Sequence, residues 1–337
     1  MSTLPAAVAI ATQILGPLAT SDVSLAPYTT LRVGGPAALL VSVTAVDQLN
    51  TVAAAVVGTG LPMLIIGQGS NLLISDEGFA GIVVVLGESF ADIDIDAQSG
   101  VVTAGAATKL PVLARRTVAA SLRGLEWAVG VPGSVGGAVR MNAGGHGSDM
   151  AATLLSVDVI TMDAAPGQVR TVEAASLALG YRSSVLRPVD VVVSAKFGLV
   201  PGPRQAGEDV LAEIVRWRRQ HQPGGANCGS VFTNPPGESA GRLIDESGLK
   251  GYRMGTASVS VKHANFIQVD EGGRSQDVRA LINYVRATVE RRTGIALHPE
   301  VRTAGFPSAP FEEMHEPHRH RHRLALGCSR RSAAQTR

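Results

Sequence analysis

The sequence predicts a mixed helix-and-strand chain of two or three domains, closed by a polar tail. Three observations carry that prediction. At 337 residues the chain exceeds one small module and can bury a sizeable core. Hydrophobic residues make up 45% and charged residues 17%, which excludes a disordered chain. Between residues 45 and 86, a helical apolar spacing precedes a short apolar run, a glycine turn and a second apolar run, which is an α/β signature. Aromatic residues are only 4%, so the core must be mostly Ala, Val, Leu and Ile. The 38 glycines are about 11% of the chain, against an ordinary share of about 7%. Such an excess marks many turns, or backbone that approaches a ligand closely.

The elements follow in order. A short helix is expected over Ala6–Leu15. Val46, Leu49, Ala53 and Val56 recur at helical spacing, so 45–58 reads as an amphipathic helix. Pro62–Ile66 and Ile82–Leu86 read as buried strands. Residues 91–107 alternate and carry Gly100 and Gly105, as short strands with turns do. Lys109–Ser121 is expected helical, and strands follow at 154–162 and 189–195. Pro201-Gly202-Pro203 reads as a linker. Helices are then expected at 207–220 and 239–247, with alternating strands within 257–269. Ser275 is positioned to cap a long helix whose buried face is Val278, Leu281, Ile282, Val285 and Val289. His298–Thr303 reads as a last strand. From residue 306 a disordered tail is expected, with His318-Arg319-His320-Arg321-His322-Arg323 as a solvated run.

Composition excludes several function classes. The net charge of +2 is too small to argue for nucleic acid or an anionic membrane, and part of it sits in the tail. Two cysteines, Cys228 and Cys328, make neither a disulfide scaffold nor a Cys-x-x-Cys metal pattern, and they fit a reducing cytoplasm. No apolar stretch reaches the ~18 residues of a membrane span. The first 21 residues carry no charge, so they lack the basic start of a signal peptide.

Two glycine segments carry the chemistry. Gly67-Gln68-Gly69-Ser70-Asn71-Leu72 lies between two apolar runs. Its uncovered amides can hold a pyrophosphate without a basic side chain, although an ordinary strand–strand turn fits the same pattern. The stretch Gly130–Gly145 includes Val131, Pro132, Gly133, Ser134, Gly136, Gly137, Asn142 and Gly144. Gly133–Gly137 can open a helix whose first amides face an anion, or it can be a structural loop. Neither segment is a complete dinucleotide fingerprint, and there is no Walker A sequence. Two such loops some 66 residues apart (133 minus 67) point to one large ligand held by two subdomains. Three polar clusters remain: Gly180–Ser184 with Arg182, Asn227–Pro235 with Ser230, and His298–Arg302. In the last, Glu300 and Arg302 are expected on one face of a strand. Each alone fits a salt bridge or a cap.

Taken together, these segments resemble one family. Thr29–Pro36, Gly67–Ile74, Val131–Gly144, Gly180–Ser184, Gly229–Pro235, Leu243–Gly251, His263–Phe266 and Pro299–Arg302 occur in the order of UDP-N-acetylenolpyruvoylglucosamine reductase, MurB. The resemblance runs from about residue 20 to 305. It implies an α+β fold in which two FAD-binding subdomains of the vanillyl-alcohol oxidase (PCMH) type are joined by a C-terminal α+β substrate domain. The implied boundaries are 1–90, 91–200 and 201–305, with 306–337 as the tail. It also implies non-covalent FAD, NADPH as co-substrate and reduction of UDP-N-acetylglucosamine enolpyruvate to UDP-N-acetylmuramate in peptidoglycan precursor synthesis. Under it, Arg182 and Glu300 stabilise the enol intermediate and Ser230 protonates it. Asn234, His263 and Arg302 fall near the substrate, while Gly67–Leu72, Val131–Ser134, Gly136, Gly137, Asn142 and Gly144 match the FAD loops. The family often has an aromatic residue where His146 stands. The Ser230–Glu300 gap fits the shorter subtype, which lacks an extra Tyr loop. The chain is expected to be a cytoplasmic monomer or weak oligomer, with no metal, nucleic acid or membrane insertion. Three rivals are another FAD oxidase or dehydrogenase of the fold, a non-catalytic flavin binder, and nucleic-acid binding through the His/Arg tail, which predicts salt-dependent binding lost on truncation after Gly305. The first glycine loop has no His, which argues against a tethered flavin.

Overall fold

The computed structural model describes residues 3–164 and 167–307. The expected disorder of the tail concerns residues that lie, from 308 onward, outside the described ones. The first region runs α1 (Leu4–Leu15), β1 (Ala19–Ser24), β2 (Pro36–Val43), α2 (Gln48–Thr59), β3 (Met63–Ile66), β4 (Leu72–Ile74) and β5 (Phe79–Leu86). Four of these strands form a sheet in the order β1-β2-β5-β3, antiparallel at β1–β2 and parallel elsewhere. Side chains alternate across the pleat, so Leu39, Val41 and Val43 face the helices while Leu40 faces the other way. Ala7, Ala11 and Leu15 of α1 and Leu49, Val52 and Ala53 of α2 close the first face. β4 is absent from this sheet. It pairs in parallel with the last strand of the chain, Arg302 opposite Leu72.

The second region holds β6 (Ile93–Asp96), β7 (Val101–Gly105), α3 (Leu110–Ala119), β8 (Leu122–Arg123), α4 (Val135–Arg140), β9 (Gly144–Gly145), β10 (Ser148–Asp149), β11 (Leu154–Thr161), β12 (Arg170–Glu173), β13 (Asp190–Gly198) and β14 (Val200–Pro201). Its main sheet is antiparallel throughout, in the order β12-β11-β13-β7-β6. Val102, Ala104, Val157, Ala195 and Phe197 of this sheet are buried with Leu113 and Val118 of α3 and Val135 and Val139 of α4. Ile160, Met162 and Val191 belong instead to the cluster beneath α1 and α2. The two regions therefore share one apolar seam. As composition requires, that core is almost wholly aliphatic.

The expected linker is not free. β14 pairs with β8, and the Gly202 amide donates to Ser121, so the stretch is bonded up to Pro203. The third region then follows as α5 (Arg204–His221), α6 (Ala240–Glu246), β15 (Arg253–Met254), β16 (Ala257–Val259), β17 (Ile267–Val269), α7 (Ser275–Thr293) and β18 (Arg302–Ala304). The apolar stripe of α7 is buried as its spacing requires, with Val278, Leu281, Ile282, Val285 and Val289 inside.

Its cap differs from expectation. Ser275 lies within the first turn, and its hydroxyl is buried without a partner. The cap comes from Asp76, whose two carboxylate oxygens accept the amides of Ser275 at 2.8 Å and Gln276 at 3.1 Å. A carboxylate outcompetes a hydroxyl here because it meets both free amides and the positive end of the helix. The expected strand over 298–303 also shrinks to Arg302–Ala304. Before it, the segment is held by single contacts: Phe232 bridges Pro299, and Glu300 donates its amide to Val231 at 2.7 Å.

Candidate active site

The two glycine loops meet. A Cβ built on Gly67 would lie 2.2 Å from the Ser134 hydroxyl oxygen, and one on Gly133 would lie 3.6 Å from that of Ser70. Gly69 has φ +57°, and a Cβ there would fall 2.0 Å from the Tyr28 carbonyl oxygen. Only glycine lets the chain turn this close to its neighbour. The amides of Gln68, Gly69, Ser70 and Asn71 donate to no group among the described residues. Beside them, Thr30 donates its amide to the Gly69 carbonyl, and its own hydroxyl is buried without a partner. Free amides next to an orphaned hydroxyl form an anion-binding concavity. The site therefore fits the pyrophosphate of a dinucleotide such as FAD. Leu72 begins β4 and carries the loop back into the core.

The second loop contributes differently from the sequence expectation. Ser134 precedes α4, as expected, but the first amides of that helix are already used. Val135 donates to Thr108 and Gly136 to Ala106, both at 2.9 Å. They pin α4 to the end of β7 and do not face outward. Val131 donates to Ala128 and Gly133 to Val131, with Pro132 between them, so the loop is preshaped. Gly136 is packed against Ala106, and the nearest neighbour of a Cβ on Gly137 would be the Ser134 hydroxyl at 3.9 Å.

Arg182 sits at φ +55° in the tight turn where Gly180 and Ser183 bridge. Asn142 sets this turn, and its side chain is fully engaged. Its Nδ2 donates to the Gly180 carbonyl at 3.0 Å and to Asp149 Oδ2 at 3.1 Å, and its Oδ1 accepts the Ala151 amide. Arg182 Nε donates to Glu300 Oε1 at 2.6 Å, and its Nη2 to the Gly144 carbonyl at 3.2 Å. The structure thus joins Arg182, Glu300, Asn142 and Gly144. Their sequence separation reaches 158 residues (300 minus 142).

Burial pushes the Glu300 carboxyl above the usual glutamate range, against the pull of Arg182 and Arg302. Arg302 is open to solvent in the same place. Its Nη2 meets Met141 Sδ at 3.9 Å, and the desolvation that lowers its pKa is partly offset by Glu300. No carboxylate lies within ion-pair distance of it among the described residues, so it can receive an anionic ligand.

Ser230 approaches this pair along the chain. Its neighbour Val231 accepts the Glu300 amide and donates its own to the Asn265 carbonyl. The Ser230 hydroxyl is half-buried and has no hydrogen-bond partner among the described residues. The segment is clamped by a residue the sequence reading did not single out. Asn265 is buried, accepts the Phe232 amide at 2.9 Å and donates to the Phe232 carbonyl at 2.8 Å. Its signal was an amide side chain between Ala264 and Phe266, because a buried amide must find partners. Cys228, two residues before Ser230, is buried, and desolvation pushes its thiol up to about 12, so it stays an inert thiol.

Asn234 and His263 lie further out. Asn234 Oδ1 accepts the Ala240 amide at the start of α6, leaving its Nδ2 for a ligand. His263 Nδ1 accepts the Asn265 amide, and its ring meets Phe266 edge-on at 4.9 Å. Burial and the nearby Lys250 hold His263 below the usual histidine range, so it is neutral. His146 packs edge-on against Trp217 of α5 at 5.2 Å. Burial and Arg218 lower its pKa too.

A pH dependence follows from Glu300. The folded carboxyl keeps its proton to higher pH than the unfolded chain does. Between the two values the folded state binds more protons, so stability falls as pH rises through that window. Glu300→Gln cannot titrate and is expected to lose this slope. Thermal midpoints of both proteins from about pH 4 to about pH 7 check it, and parallel curves would refute it.

Comparison with known proteins is consistent with this geometry. Residues 37–171 match the family described as FAD binding domain. Residues 220–304 match the UDP-N-acetylenolpyruvoylglucosamine reductase C-terminal domain. The protein of that name from Synechococcus sp. (strain WH7803) is 45% identical over 84% of this chain and 92% of its own length. The one from Rubrobacter xylanophilus is 38% identical over 88% and 98%. The crystal structure of UDP-N-acetylenolpyruvylglucosamine reductase (MurB) from Thermus caldophilus is 37% identical, with a TM-score of 0.73, covering 84% of this chain and 98% of that one. Among the described residues no helix is long and apolar enough to cross a membrane, and no cluster of ligating side chains can hold a metal ion. With its α+β fold, its FAD-binding domain and its matching C-terminal domain, the chain belongs to the UDP-N-acetylenolpyruvoylglucosamine reductase family.

Proposed function

We propose that the chain performs its family's reduction with NADPH as electron donor, and that Arg182, Glu300 and Ser230 carry the substrate half of it. The observation that carries this reading is the Arg182–Glu300 pair, held at 2.6 Å and bordered by the flavin-type loop at Asn71. When bound, FAD supplies two-electron transfer from NADPH to the methylene carbon of the enolpyruvyl group. Negative charge then builds on the neighbouring carbon and its carboxylate. Arg182, a permanent cation with a fixed fork, faces that charge together with Arg302. Burial lets the Glu300 carboxyl hold a proton more readily than an exposed glutamate does, and in that form it donates to the enolate oxygen instead of repelling it. Ser230 gives its hydroxyl proton to the carbon, completing the lactyl ether.

Gln68–Asn71 are the residues we assign to the pyrophosphate, with Gly67, Gly69, Gly133, Ser134, Gly136 and Gly137 allowing the close approach. Asn234 and His263 are assigned to the nucleotide end of the substrate. In this reading residues 1–90 and 91–200 form the two flavin-binding halves and 201–305 the substrate domain. The chain acts in the cytoplasm as a monomer or weak oligomer.

A visible spectrum of the purified protein tests the proposal. A flavin band that bleaches with anaerobic NADPH and returns with the enolpyruvyl nucleotide is the expected result. Bleaching without return would remove the substrate assignment, and a protein colourless even after incubation with FAD would remove the loop assignment.

A further inference from the structure

The loop assigned to the cofactor has one side chain that points elsewhere. Asn71 Nδ2 donates to the Glu300 carbonyl at 3.1 Å. The carbonyl of the same residue accepts the Arg302 amide at 3.0 Å. Asn71 therefore grips the chain on both sides of Val301, a buried residue with no room to slide. From the opposite side, the Glu300 amide is held by the Val231 carbonyl. The backbone of Glu300 is fixed at its amide by the Ser230 segment and at its carbonyl by the cofactor loop. Its side chain is then free to meet Arg182 alone. The Asn71 amide itself stays uncommitted, so one residue faces both ways: main-chain N–H toward the anion cradle, side chain toward the reacting end.

We infer that Asn71 is a positioning residue for the substrate half of the reaction, acting through Glu300 and not by holding the cofactor with its side chain. The inference rests on the proposed role of Glu300. A half-buried amide donor aimed at one carbonyl across 229 residues is a specific tether, and loss of it lets the carboxyl drift. Misplacement of about 1 Å at a reacting group costs about a hundredfold in rate.

The test uses Asn71→Leu, which keeps nearly the size, loses the donor and adds no charge beside the anion cradle, and Asn71→Ala as a second variant should one fold poorly. Four quantities are measured: FAD affinity by flavin fluorescence, flavin bleaching by NADPH, reoxidation by the enolpyruvyl nucleotide, and amide exchange of 298–304 in the flavin-free protein. Expected are FAD affinity and bleaching within about threefold of wild type, reoxidation about a hundredfold slower, and faster exchange in 298–304. In a Glu300→Ala background the same substitutions are expected to slow reoxidation no further. Loss of FAD affinity, an equal fall in both half-reactions, or a full additional fall in the Glu300→Ala background would each overturn the inference. Should Glu300→Ala alone reoxidise at the wild-type rate, the role of Glu300 fails. Asn71 then fails as its positioner, and the single-variant data show whether it serves the cofactor.

Discussion

Ser230→Ala is expected to load FAD and accept electrons from NADPH at wild-type rates, yet return them to the enolpyruvyl nucleotide some 10²–10⁴ times more slowly. That range is what a positioned proton donor contributes. The geometry makes the substitution unusually clean. Gly229 is fixed by Asn227 Oδ1 at 3.0 Å and Val231 by Asn265, so the backbone on either side does not depend on the hydroxyl. The hydroxyl has no hydrogen-bond partner to lose among the described residues. Stability should change by less than about 0.5 kcal/mol. Stopped-flow absorbance of the two half-reactions, with a thermal melt alongside, decides the matter. An equal fall in both half-reactions, or wild-type reoxidation, would remove Ser230 as the donor.

Arg182→Ala has the second large effect, and it reaches beyond the chemistry. It removes the Nε contact to Glu300 and the Nη2 contact to Gly144 together. Losing a charge-stabilising donor costs about 10²–10³ in turnover of substrate. Glu300 is then a largely buried carboxyl without its partner, and it is expected to hold its proton to still higher pH. Arg182→Lys should recover little of the lost turnover. One ammonium cannot reproduce a planar fork that spans a carboxylate and a carbonyl. Steady-state kcat/KM for the three proteins, with the pH dependence of each melting midpoint, checks the expectation. A Lys variant near wild-type activity would show that charge alone suffices.

Much of this was legible in sequence because it depends on local pattern. The α7 stripe, the glycine loops and the alternating strands need only period and turn chemistry. The first loop and the Arg182 turn were also visible, since glycine runs and a turn-borne Arg mark themselves. What was not visible arises from distant partners. Ser275 looks like a cap by every local rule, and nothing near it reveals Asp76 some 199 residues earlier. The first amides of α4 look free until Thr108 and Ala106 are placed beneath them. Asn265 and Asn71 appeared as ordinary motif members. Their roles emerge only when 231–232 and 300–302 are brought between them.

The departure of β4 from its neighbours has a consequence for how the molecule comes into being. β4 lies in sequence between two strands of one sheet, yet its partner is the last strand, 230 residues on (302 minus 72). A ribosome has made nearly nine-tenths of these 337 residues before that partner exists. The loop that closes is very long, but its entropic cost grows only with the logarithm of length. Rate is affected more than stability, because contacts so distant in sequence form late. During synthesis, β4 waits as an unpaired edge behind an empty cradle. On the proposed role of Glu300, the substrate site is therefore completed only when residues 300–304 dock, and a nascent or clipped fragment ending before residue 300 is expected to lack it.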